Sequence, residues 1–114
     1  LLSRHERALA LAEAAVSGAR IDVQEAGAAG SEAQAPLQEI ALYMETCTRL
    51  FAALDEFDPA YALLARQITR SYESLKASPV RAHWLALRES LDRAASDLEI
   101  RRASLVERRA SWAA

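Results

Sequence analysis

The sequence predicts an all-α fold, an elongated antiparallel bundle of three or four long helices with coiled-coil-like packing. Three observations carry this. The 114 residues include only 3 Gly and 3 Pro, so most of the chain must lie in long uninterrupted elements. Ala, Leu, Arg and Glu dominate the composition, and all four are strong helix formers. Apolar residues recur at alternating spacings of three and four, which places them on one face of a helix. Ala occurs 26 times, and Leu, Ile, Val and Phe together supply another 26 residues, enough for a modest core and too many for a disordered chain. The length fits a single module, 1–114.

The first helix is expected over about 1–26. Leu2, His5, Leu9, Ala12, Val16, Ala19, Val23 and Ala26 form its stripe. One column of that stripe is large and the other mostly Ala, so a partner helix can approach closely. Gly27 is the expected stop. A second helix, about 36–57, is expected with Pro36 as its first residue. Leu37, Ile40, Met44, Cys47, Phe51 and Leu54 line its core face, widened by Tyr43, Leu50 and Phe57. So wide an apolar arc needs more than one neighbour, which puts this helix at the centre. Asp58-Pro59 and Ser78-Pro79 each set a capping residue before a proline at a helix start. They open helices over about 59–77 and 79–113. The Asp58-Pro59 break is either a hairpin or a kink joining two segments into one rod, hence three or four helices. The last helix carries Trp84, Leu91, Leu98, Leu105 and Trp112 at seven-residue intervals. Its companion column begins Val80, Leu87, Ala94 and ends in Arg101 and Arg108.

Composition excludes several classes. A single cysteine cannot form an internal disulfide and points to a reducing compartment. No apolar run approaches the ~18 residues that span a bilayer. A net charge of −2 argues against bulk electrostatic binding of nucleic acid. Residue 1 is Leu rather than Met, which suggests a segment of a longer protein. No cofactor or small-molecule substrate is expected. His5, His83 and Cys47 lie on three different segments without the spacing of a zinc site. Cys47, between Met44 and Phe51 on the second stripe, reads as a buried, inert thiol. His5 reads as a half-exposed packing residue, and His83 as pointing to water. No catalytic residue stands out, and a non-enzymatic interaction module is expected.

Two local features remain. Arg-Arg-Ala-Ser occurs twice, at 101–104 and 108–111, and resembles the sites read by arginine-directed kinases. The preferred reading is a solvated surface heptad, because an intact helix withholds its serines. Charge is also divided: the half up to Phe57 is net acidic and the half from Asp58 net basic. Complementary faces inside one bundle would explain that division, as would association through opposite ends.

The Ala/Arg-rich, Lys-poor stretches from Leu2 to Ala15 and from Cys47 to Tyr61 are similar in texture to GC-rich herpesvirus proteins. With the long helices, the chain resembles the helical central region of the alphaherpesvirus large tegument protein. The resemblance implies a scaffold segment linking capsid to outer tegument during virion assembly and capsid transport. It also implies a place in the virion tegument and the host cytoplasm or nucleus. That family's protease lies in a separate domain, and no catalytic residue carries over. The competing expectation is a cytoplasmic secretion- or flagellar-type helical chaperone or adaptor.

The partners expected are proteins, with neither nucleic acid nor membrane among them. The last helix looks too long for its neighbours to cover, so an apolar stretch around Leu105 and Trp112 should need a partner. Leu98, Arg101, Leu105, Arg108 and Trp112 are the candidate interaction residues. An antiparallel homodimer through this helix would keep the arginines of two copies apart.

Overall fold

A computed structural model of the chain describes residues 2–29 and 34–113, and these form four α-helices with no strand among them. They are α1 (Leu2–Ala29), α2 (Gln34–Leu54), α3 (Ala60–Ala77) and α4 (Arg81–Ala113). Each packs on two others: α1 on α2 and α4, α3 on α2 and α4. The result is an all-α, four-sided antiparallel bundle measuring 55 × 21 × 19 Å.

The apolar stripes read from the sequence are the core. Leu9, Ala12, Val16, Ala19 and Val23 of α1 face Ile40, Met44, Cys47, Phe51 and Leu54 of α2. Tyr61, Ile68 and Leu75 of α3 and Trp84, Leu87, Leu91, Ala94, Leu98 and Leu105 of α4 complete it. The small column of α1 allows close approach, and Gly18 beside it does the same for an outer contact. A Cβ at Gly18 would stand 2.9 Å from Cε1 of Tyr43, so hydrogen there lets the ring lie against α1. One donor in this core has no acceptor among the described residues, the buried Trp84 Nε1.

The two proline breaks differ. After Leu54 the chain tightens, with the Phe57 and Asp58 amides both donating to the Leu54 carbonyl (2.9 and 3.3 Å). Pro59 has no N–H to continue α2, and its angles (φ −63°, ψ −15°) already suit the next helix. Asp58 Oδ1 accepts from the Ala60 amide at 2.9 Å, the capping bond that the Asp-Pro pair foretells. The break is a hairpin. It occupies three residues that the periodicity assigned to the second helix, so α2 ends at Leu54 rather than at Phe57.

At the second break the expected start is corrected by two residues. Ser78 is extended (φ −151°, ψ 97°), as the residue before a proline tends to be. α4 begins at Arg81, and the Val80 carbonyl takes the first bonds, from His83 and Trp84. His83, expected to face water, is half-buried and donates from Nδ1 to the Ser78 carbonyl, closing this corner.

Two other boundaries move. α1 runs through Gly27 to Ala29, because one Gly costs a helix only about 1 kcal/mol and Ala-Ala follows it. α2 begins at Gln34, and Pro36 is tolerated because a helix's first amides have no partner within it.

Candidate functional site

Most charged side chains lie outward, but one polar cluster penetrates the end of the bundle where the α2–α3 corner meets the last turns of α4. Its centre is Arg101. The heptad puts this residue on the companion column of α4, facing the corner. Its Nε donates to Asp97 one turn back and its Nη1 to Asp58, each at 2.5 Å. Its guanidinium carbon stands 4.9 Å from the centre of the Tyr61 ring. The Tyr61 hydroxyl is 2.9 Å from His5 Nε2 of α1. The His5 ring in turn stacks on Phe57, with centroids 4.4 Å apart and planes 1° from parallel. All four helices or their connections therefore meet in one chain of contacts.

The electrostatics follow from these neighbours. The amide of Ala60 and the Arg101 guanidinium hold the Asp58 carboxyl below its usual range, against a smaller opposing effect of burial. His5 is lowered by burial first and by Arg108 next, with Asp58 and Glu6 acting the other way. Burial raises the Tyr61 phenol. A cleft of about 90 Å³ opens beside the cluster, lined by His5, Phe57, Asp58, Tyr61, Arg101, Ser104, Leu105 and Arg108.

The candidate interaction residues divide here. Leu98 (0% exposed) and Leu105 (2%) are core residues of this same chain. The expectation that Leu105 is left uncovered is thereby corrected. The reason is register: α1 runs antiparallel to α4, with Arg20 on Asp92, Glu13 on Arg102 and Glu6 on Arg109. The first turns of α1 thus lie beside the last turns of α4, and the corner at Phe57 closes the other side. The carboxylates that pair with the arginines of this end, Asp58, Asp97, Glu13 and Glu6, all come from within the chain. Arg101 and Arg108 share the cleft, Arg101 partly covered and Arg108 exposed. The Trp112 side chain lies outside the described residues.

Asp58 is the member that the sequence marks only as a cap. Its second role, across 43 residues to Arg101, carries no local signal. Glu13 is similar: Oε1 is buried with no hydrogen-bond partner among the described residues, burial raises its carboxyl, and Oε2 lies 3.6 Å from Arg102. Cys47 is buried as expected, and burial pushes its thiol up to about 11, leaving little thiolate at neutral pH.

A second concavity, about 700 Å³ and open to solvent, runs between α2 and α3. Met44 and Ile68 line it, with Thr48, Tyr72, Glu45 and Glu73 around them. Among the described residues no group of three or more His, Cys, Asp or Glu is placed to hold a metal ion, and no helix is long and apolar enough to cross a membrane.

Fold and cluster together define the class, an antiparallel four-helix bundle pinned at one end by a polar network. No known protein family, curated protein or solved structure matches the chain.

Proposed function

We propose that this chain is a non-enzymatic scaffold segment, an interaction arm of a larger assembly protein. The observation that carries the reading is the placement of its two ends. Glu6 and Arg109 pair at 3.2 Å, so the first and last helices start and finish at the same end of a 55 Å rod. Inserted in a longer chain, such a bundle projects sideways as a stiff arm and leaves the parent's path uninterrupted. Its polar network fastens that base and is spent on holding helices together. The textural likeness to an alphaherpesvirus tegument protein favours a parent of that kind, acting between capsid and outer tegument. Excising residues 1–114 from the parent and joining the ends with a short Gly/Ser linker tests the reading. The parent should remain folded and lose assembly. A parent that assembles normally and loses a catalytic activity would overturn it.

The α2–α3 groove favours a second reading, a secretion-type chaperone that shields an apolar segment of an export substrate. The two readings differ in the flanking coding sequence. The scaffold predicts a much longer open reading frame, and the chaperone a start codon a few residues before Leu1.

A further inference from the structure

The two Arg-Arg-Ala-Ser repeats are equivalent as sequence, yet the fold makes them different. Ser104 is exposed and forms part of the wall of the cleft that also holds Arg101, Arg108 and His5. Arg101 lies three residues before it and Arg108 four after it, the two spacings that bring helical side chains together. Ser111 is exposed and has no part in that cleft.

We propose that Ser104 is a phosphorylation site, and that the phosphate it receives is held by Arg108, Arg101 and His5 as an ionic latch between α4 and α1. The donor is a nucleoside triphosphate used by an arginine-directed kinase. Ser104 Oγ attacks the γ-phosphorus, the hydroxyl proton passes to the kinase's base, and the nucleoside diphosphate leaves.

Access and reception are separate questions, and the fold answers both. A kinase reads an extended segment, so the end of α4 must open first. Between Arg102 and Ser111 the one buried side chain is Leu105. The ion pairs Arg102–Glu13 and Arg109–Glu6 are largely exposed on the arginine side (57% and 71%). Opening the motif also frees Arg101 from Asp58 and Asp97, so the local cost is that of one buried leucine and these ion pairs rather than of the whole core. On reclosing, the phosphate brings a charge of about −2 into a cleft that already presents two guanidiniums. The charged groups facing His5 are Glu6 on its own helix, Asp58 at the corner, and Arg101 and Arg108 on α4. The two arginines now disfavour its imidazolium. A phosphate on Ser104 screens both and supplies an acceptor, so the imidazolium becomes the favoured form. Asp58 opposes the incoming charge, but the Ala60 amide already holds its other oxygen.

The test uses the full chain, the catalytic subunit of an arginine-directed kinase and ATP, with the site mapped by fragment mass spectrometry. Modification of Ser104 is expected in the wild type and in Ser111→Ala. His5, on the cleft wall, then reports on the phosphate by proton NMR. The His5 titration midpoint should move up, and Arg108→Gln should shrink the rise. The thermal midpoint of the modified protein should also rise. Three results would overturn the proposal. One is phosphate confined to Ser111, or absent, while a peptide spanning 99–106 is modified. The second is a His5 midpoint that stays or falls. The third is a lowered thermal midpoint, which would mean that repulsion from Asp58 holds the end open.

Discussion

His5 shows how one partly buried ring ties stability to pH. Burial and Arg108 hold its imidazole below the ordinary 6.5. Between that value and the folded one, the unfolded chain binds a proton that the folded chain refuses. Stability is therefore full above about pH 6.5 and declines as the pH falls toward the folded value. Glu13 works in the opposite sense, because burial raises its carboxyl and the folded chain holds that proton longer. The variant His5→Gln isolates the histidine. Urea unfolding at pH 7.5 and 5.5 should show a smaller acid loss for the variant than for the wild type. Equal losses would mean that His5 carries none of the dependence.

At the scale of elements, α4 is covered by α1 and the α2–α3 corner, and Leu105 measures that cover. Leu105→Ala should lower the unfolding free energy by about 2 kcal/mol, near the low end for a buried leucine because the site is close to a helix end. The loss should not depend on protein concentration in urea titrations. A concentration-dependent loss would place Leu105 at an interface between copies instead. The hairpin at Asp58-Pro59 can be measured directly. Glu45 of α2 and Glu73 of α3 line one groove. Spin labels there should lie within about 20 Å, the distance of adjoining helices plus the label arms. A continuous helix would separate them by about 42 Å.

Over the whole molecule, ion pairs mark the register of the long helices and contribute little to their stability. Arg20–Asp92, Glu13–Arg102 and Glu6–Arg109 run the length of the α1–α4 seam, and Arg4–Glu56 ties α1 to the corner. Most of these side chains are substantially solvated, and exposed pairs contribute about 0–1 kcal/mol each at most. Raising sodium chloride from 20 mM to 0.5 M should change the unfolding free energy by less than about 1 kcal/mol for the whole set. A fall of several kcal/mol would show that the bundle depends on its ion pairs rather than on its apolar core.

The amino-acid sequence by itself determined the helices, the core and the punctuation. Period and composition act within a few residues, so the stripes from Leu9 to Val23 and from Trp84 to Leu105 are legible without a partner. So is Asp58-Pro59 as a helix start, since proline's missing donor and the aspartate's reach to the Ala60 amide are local. The inert Cys47 follows from its place between Met44 and Phe51. Boundaries were less legible, because a single Gly27 or Pro79 biases a helix end by an amount comparable with the cost of one more turn. Only the tertiary structure decided that Asp58-Pro59 is a hairpin, and only that decision covers Leu105. It also gave Asp58 to Arg101 and His5 to Tyr61, and it set Ser104 apart from Ser111. These are contacts between residues 43 and 56 positions apart, or differences between identical tetrapeptides. Local propensity has no term for them; they arise when four helices close in one antiparallel register.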